Sequence, residues 1–229
     1  MKAAVITFPG SNRQQDVIRA LQQATGSAPA SVWHADQDLP HGTDLVVLPG
    51  GFSYGDYLRC GAIAGHAAIM PAVRAHAARG GYVLGICNGF QILVESGLLP
   101  GILMRNAGLR FICKMQHLQV TTPNSAFTSL YSKGQVIKVC IAHGEGNYMA
   151  DPQTIEQLEH EDRVAFRYCH ADGTRTQGAN PNGSIHDIAG ILSENRRVLG
   201  MMPHPENLIE DMMGGIDGRG LFASLASAA

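Results

Sequence analysis

A cysteine with a glycine two residues to either side, Gly85-Ile86-Cys87-Asn88-Gly89, is the group in this chain best placed for covalent chemistry. The apolar run Tyr82–Ile86 ahead of it predicts a strand, and Phe90-Gln91-Ile92-Leu93-Val94 continues in a helix-compatible pattern. Cys87 therefore falls at a sharp strand-to-helix turn, where a nucleophile elbow strains the backbone and glycines permit its close approach. Such a turn lifts the sulfur above the carboxyl end of the strand. It also aims the first helical N–H groups and the positive end of the helix dipole at it, and both effects favour thiolate. An isolated cysteine is more often a small core hydrophobe, and the elbow pattern alone leaves both readings open. Cys60, Cys113, Cys140 and Cys169 take the core reading, which fits Cys60 least because it lies in a Gly-rich loop.

Three loops fall where strands end. In residues 49–56, Pro-Gly-Gly-Phe-Ser-Tyr-Gly-Asp, adjacent Gly50 and Gly51 let bare amides face a ligand. Gly51 or Phe52, with the amide of Asn88, are the candidate oxyanion-hole donors, although a Gly-Gly pair by itself is equally a tight turn. In residues 201–206, Met-Met-Pro-His-Pro-Glu, both prolines hold the preceding residues extended, so His204 and Glu206 lie close together on one side. A carboxylate that orients an imidazole, which in turn deprotonates a thiol, is what a cysteine nucleophile needs. A lone His-Pro-Glu is more often a surface turn; beside a cysteine elbow it argues for chemistry. The third loop, residues 143–148, follows the strand Val136–His143 and offers Glu145 or nearby carbonyls to an ammonium or amide group. A glycine turn with solvated side chains is an equal reading there.

The elements that position these groups are legible in outline. Strands over residues 3–8, Ala30–Trp33, 44–48 and Tyr82–Ile86 alternate with helices over residues 13–24 and 67–79. That predicts an α/β fold, a mostly parallel central sheet with helices on both faces and ligands outside the carboxyl ends of its strands. From about residue 109 the texture changes: 109–120, Val136–His143, Val164–Cys169 and 188–193 are strand-like with little helix between them, so antiparallel or mixed strands are expected to extend the core. A last strand over 198–200 leads to His204, and a helix over Arg219–Ser227 closes the chain.

At 229 residues, 45% hydrophobic and 16% charged, the chain suits a single domain over residues 1–229 that buries roughly three quarters of its unfolded surface. Five cysteines without C-x-x-C spacing, and no N-terminal signal segment, suggest a reducing, cytoplasmic setting. No apolar run approaches the ~20 residues that span a membrane. A net charge of −2 without a Lys/Arg block gives no electrostatic footprint for nucleic acid. The ten histidines show no H-E-x-x-H or Cys/His zinc spacing, so no metal site is expected.

The Gly85-x-Cys87-x-Gly89-x-Gln91 elbow, the Pro-Gly-Gly loop and His204-x-Glu206 together resemble the class I, triad-type glutamine amidotransferases, whose fold is flavodoxin-like. More narrowly, residues 50–56, Arg105-Asn106, 143–146, the Asn-Pro-Asn-Gly-Ser segment 180–184 and 200–206 resemble the glutaminase subunits of phosphoribosylformylglycinamidine synthase, from purine biosynthesis. The resemblance runs from residue 6 to 206. Asn147 and Asn207 depart from it, each standing where a basic residue is expected, away from the triad at rims suited to phosphate or partner contacts.

The resemblance implies Cys87 as nucleophile, His204 as base and then acid, and Glu206 as the residue that orients His204. It implies backbone donors at Gly51, Phe52 and Asn88, and substrate contacts among Gly50, Gln91, Asn106, His143 and Glu145. The chain has no G-x-x-x-x-G-K-[ST] loop. The resemblance therefore implies no cofactor here, with ATP and magnesium on a larger synthetase subunit that receives the ammonia, and a small bridging subunit as third partner. Its rivals are an amidotransferase of another pathway, a γ-glutamyl hydrolase, a PfpI-type cysteine hydrolase and a non-catalytic regulatory subunit. The order Cys, His, Glu together with Gln91 argues against the PfpI type.

Overall fold

In the computed structural model, which describes residues 1–57 and 59–228, the apolar runs of the first half are strands, the central ones buried on both faces. β1 (Ala3–Thr7), β2 (Ala30–Trp33), β3 (Leu45–Leu48) and β4 (Tyr82–Ile86) lie parallel. Every residue of β3 and the last four of β4 are buried, the continuous burial of a sheet covered on both sides. Between and after them run α1 (Gln14–Thr25), α2 (Cys60–Gly65), α3 (Met70–Ala78) and α4 (Asn88–Glu95). α1 buries Val17, Ala20 and Leu21 along one stripe and stops at Gly26, whose left-handed φ of 72° lets its N–H bond to the Gln22 carbonyl.

β11 (Val198–Met201), formed near the end of the chain, inserts parallel to β4 and pairs Gly200 with Gly85 and Met201 with Ile86. That register delivers Cys87 and the 202–206 loop to the same end of the sheet. Beyond β11 the sheet continues antiparallel through β10 (Ile188–Leu192), β9 (Val164–Cys169), β6 (Ile112–Val120) and β7 (Val136–His143). The nine strands run in the order β2-β1-β3-β4-β11-β10-β9-β6-β7. A separate antiparallel ribbon joins β5 (Ile102–Met104) to β8 (Asn147–Met149), and α6 (Arg219–Ser227) packs on α1.

The second half holds a helix that the sequence pattern does not announce, α5 (Pro152–His160). It buries only Ile155 and Leu158, too short a stripe for a helical period to stand out. Its start is nonetheless well specified: the Asp151 carboxylate accepts from the Thr154 N–H at 3.0 Å, and Pro152 sits in the first turn.

One strand does more than extend the sheet. β7 lies four strands from β11, yet the His204 N–H donates to the Cys140 carbonyl at 2.8 Å across an isolated antiparallel bridge. The outer edge of the sheet therefore curls back over the carboxyl ends of β4 and β11.

Candidate active site

Cys87 links β4 to α4 with φ 52° and ψ −106°, a conformation that costs a non-glycine residue about 1–3 kcal/mol and persists only where its surroundings over-determine it. They do so here. The Cys87 N–H donates to the Met201 carbonyl at 2.8 Å, and its carbonyl accepts from the Gln91 N–H at 3.2 Å. Gly89 lies so close to β3 that a Cβ would overlap the Leu48 carbonyl. Cys87 is 5% exposed, and its thiol points toward the Ala142 carbonyl at 3.7 Å, a contact supplied by the returning β7.

His204 and Glu206 are 2% and 0% exposed, and Nδ1 of the one lies 2.7 Å from Oε1 of the other. A carboxylate accepts only, so Nδ1 carries the ring proton and Nε2 is the basic nitrogen. Among the described residues Nε2 has no hydrogen-bond partner. Burial opposes charge on this imidazole, but the Glu206 carboxylate and the Cys87 sulfur outweigh it and hold His204 well above its ordinary range. Gly50 separates nothing from the pair: a Cβ there would lie 2.8 Å from His204 Cε1 and 2.9 Å from Cys87 Cβ. The three residues expected to form a triad are thus assembled at one point.

The 49–56 loop supplies donors by peptide geometry. The Gly50 carbonyl accepts from Ser11 Oγ at 3.2 Å and the Gly51 carbonyl from the Asn12 N–H at 2.9 Å. In a trans peptide the C=O and the following N–H point opposite ways, so the N–H groups of Gly51 and Phe52 point away from residues 11–12. Gly51 and Phe52 hold φ at 90° and 59°. The amide of Asn88 opens α4, where no carbonyl within the helix is available to it.

The remaining candidates divide. Asn106 is fully buried; its Nδ2 donates to the carbonyls of Arg110 and His143 at 2.8 and 2.9 Å, and its Oδ1 accepts from the Gly146 N–H at 3.0 Å. That oxygen also faces His143 Nδ1 at 3.1 Å, so His143 carries its proton on Nδ1 and presents Nε2 as a buried acceptor with no partner among the described residues. Burial, reinforced by the charge of His204, lowers the His143 imidazole to about 4. Gln91 is engaged by the protein: Oε1 accepts from Asn88 Nδ2 at 2.9 Å and from the Cys60 thiol at 3.1 Å, and Nε2 donates to the Glu145 carbonyl at 2.8 Å. The Glu145 carboxylate faces Arg105 at 3.8 Å. Asn147 reaches the Arg105 carbonyl at 3.4 Å through Nδ2, while its Oδ1 and that of Asn207 have no partner among the described residues.

Two cysteines depart from the core reading. Cys113 is exposed and Cys140 half-buried, because β6 and β7 form the outer edge of the sheet. Cys60 does not lie in a loop; it opens α2, is buried, and its thiol is pushed up to about 12 by burial first and by Asp56 second. Sequence reasoning also missed Ser53, Asp56 and the carbonyls of Cys140 and Ala142. A backbone carbonyl has no residue signature, but Asp56 carried one, since it closes the loop already singled out. Clefts of about 680 and 810 Å³ elsewhere contain none of the triad. Among the described residues no group of three or more His, Cys, Asp or Glu is arranged to hold a metal ion, and no helix is long and apolar enough to cross a membrane.

Residues 1–216 match the family model of a CobB/CobQ-like glutamine amidotransferase domain. The chain is 64% identical to phosphoribosylformylglycinamidine synthase subunit PurQ of Bradyrhizobium diazoefficiens, over 99% of this chain and 97% of that one. It is 63% identical to the PurQ subunit of Rhodopseudomonas palustris, over 98% and 97%. The chain belongs to the PurQ family of glutamine amidotransferases. A solved relative of this PurQ-family chain, in the structure of PurLQS from Thermotoga maritima, superimposes with a TM-score of 0.87 at 40% identity, covering 99% of this chain and 98% of that one. The α/β architecture expected from the sequence is the architecture of the family.

Proposed function

We propose that this chain is the glutaminase subunit of phosphoribosylformylglycinamidine synthase, hydrolysing glutamine to glutamate and ammonia through Cys87, His204 and Glu206. The observation that carries the reading is the strained Cys87 turn beside a buried imidazole whose Nδ1 proton is held by Glu206. His204 Nε2 takes the thiol proton, and the sulfur attacks the side-chain carbonyl carbon of glutamine. The N–H groups of Gly51, Phe52 and Asn88 receive the oxyanion. The imidazolium then protonates the departing ammonia, leaving a γ-glutamyl thioester. His204 next deprotonates a water that attacks the thioester, and glutamate leaves as the thiol is restored. Gly50, by its bare backbone, and His143, by its free Nε2, border the space the glutamine occupies. Asn106, Gln91 and Glu145 shape the loops around it.

The names of the relatives, PurQ and PurLQS, support a larger synthetase subunit as partner and a small third subunit as bridge. Ammonia passes to the synthetase subunit, where ATP and magnesium drive conversion of formylglycinamide ribonucleotide to the amidine. The test is glutamate release from glutamine by the purified chain, with and without the synthetase subunit, ATP, magnesium and ribonucleotide, with Cys87→Ala as blank. Stimulation by the partner that vanishes in Cys87→Ala is the expected result. Absence of Cys87-dependent release in both mixtures overturns the reading.

A further inference from the structure

We infer that the side chain of Asn88, clamped by the Asp56 carboxylate, positions the oxyanion hole, so that both side chains set the rate of glutamine hydrolysis without themselves touching glutamine. The inference rests on the glutaminase reading and extends it to two side chains that reading leaves without a role.

The loop that carries the expected oxyanion donors is held in an unfavourable conformation. Phe52, Tyr54, Gly55 and Asp56 have φ of 59°, 53°, 73° and 55°, and three of the four are not glycine. Left-handed backbone at such residues is retained only when neighbours impose it. Two anchors come from backbone alone: the Tyr54 N–H reaches the Pro9 carbonyl at 2.6 Å and the Gly55 N–H reaches the Phe52 carbonyl at 2.8 Å. Two more come from one side chain. Asn88 Oδ1 accepts from the Ser53 N–H at 3.2 Å, and Asn88 Nδ2 donates to Asp56 Oδ1 at 2.8 Å. Asn88 therefore holds the loop immediately after the Phe52 amide and again at its far end, in a setting where it is 2% and Ser53 0% exposed.

The amide orientation follows from its partners. Ser53 N–H is a donor, so it demands the oxygen. Asp56 and Gln91 Oε1, at 2.8 and 2.9 Å from Nδ2, are acceptors and demand the nitrogen. Gln91 is fixed in the same way, because its Nε2 must face the Glu145 carbonyl at 2.8 Å. The residue whose backbone N–H opens α4 thus ties three segments together: the 49–56 loop, the elbow helix and the 143–146 loop. Removing the Asp56 carboxylate takes from Nδ2 its charged acceptor and leaves it Gln91 Oε1 at 2.9 Å and the Cys60 sulfur at 3.2 Å, both away from the loop, so the far end of the loop is released and the Ser53 amide is held less firmly. Among the described residues neither the Cys87 thiol nor the His204 ring hydrogen-bonds to Asp56.

The experiment separates donor geometry from nucleophile strength. Hydrolysis passes through an oxyanion, whereas alkylation of Cys87 by iodoacetamide needs thiolate and forms none. Using the chain with its synthetase partner and L-glutamine, Asp56→Ala and Asn88→Ala are each expected to lower kcat by about 10- to 100-fold, short of the full loss of a donor, with KM within about threefold. Cys87 alkylation, followed by mass spectrometry at that residue, is expected to stay within about twofold, the level at which thiolate supply is unchanged. Asp56→Asn keeps an oxygen for Asn88 Nδ2 and is expected to recover most of kcat. Thermal denaturation of each variant shows that the fold persists. Unchanged kcat in both alanine variants, an alkylation rate that falls in step with kcat, or an Asp56→Asn variant as impaired as Asp56→Ala would each overturn the inference. If the parent protein shows no Cys87-dependent hydrolysis in the same assay, the glutaminase reading itself fails.

Discussion

Two buried histidines of the site are driven in opposite directions, and their surroundings explain why. His204 is held above its ordinary range because the Glu206 carboxylate and the Cys87 sulfur outweigh its burial, whereas burial, with the charge of His204 second, brings His143 down to about 4. The signs then differ. The stability that protonated His204 draws from its pair is fully present below the unfolded value of about 6.5 and is lost as pH rises through the raised folded value. His143 does the reverse: between about 6.5 and 4 the unfolded chain binds a proton that the folded one refuses, so stability falls with pH. At about 1.4 kcal/mol per unit this amounts to about 2 kcal/mol between pH 7 and 5. His143→Asn is expected to remove that slope, as read from urea unfolding at the two pH values; an unchanged slope would assign it to other groups. Glu206→Gln takes away the charge that orients and pairs with the imidazole, and kcat is expected to drop on the order of 10²-fold or more, with the melting temperature also falling at neutral pH and below, where the pair is charged.

At the scale of the element, the strand-to-helix turn and the loops beside it were legible because each needs residues that nothing else explains. Gly85 and Gly89 frame a turn of positive φ, and Pro203 and Pro205 hold an otherwise ordinary His and Glu in reach of one another. The parallel half of the sheet was legible from unbroken apolar runs such as Leu45–Leu48. Other elements were not: α5 buries two side chains, and the β5–β8 ribbon, three residues a side, is too short to show alternation. Least legible was the return of β7, since its contacts with Cys87 and His204 run through carbonyl groups that every residue possesses. The element-level constraint that bears most directly on the catalytic pair is Gly50, whose missing Cβ leaves room for both Cys87 and His204. Gly50→Ala is expected to lower glutaminase activity at least about tenfold while costing only about 1–3 kcal/mol in stability, the penalty of a small overpacking. A folded Gly50→Ala protein with full activity would show that the loop yields without disturbing the pair.

On the scale of the whole molecule, the active site is closed by the far edge of the sheet, and that edge is itself pinned. The Lys138 N–H donates to Asp217 Oδ2 at 2.7 Å, and the Tyr131 hydroxyl donates to the Asp217 carbonyl at 2.9 Å. Asp217→Ala removes the carboxylate latch at a local cost of about 1 kcal/mol. Amide exchange across Val136–His143 is then expected to quicken, with kcat falling in parallel because Cys140 and Ala142 lose their set positions. Exchange confined to the 211–218 loop would place the latch outside the chemistry. The strand order also governs how the protein comes into being on the ribosome. β4 acquires its second neighbour only when β11 is made, so Tyr82–Ile86 emerges as an apolar edge that waits through the synthesis of everything up to Val198. At cellular elongation rates the wait is on the order of ten seconds, long enough for a bare edge strand to recruit the wrong partner. The nascent chain thus exposes this edge until β11 is made. It also carries its nucleophile through that interval without a base, unable to consume glutamine until the last strand closes the sheet.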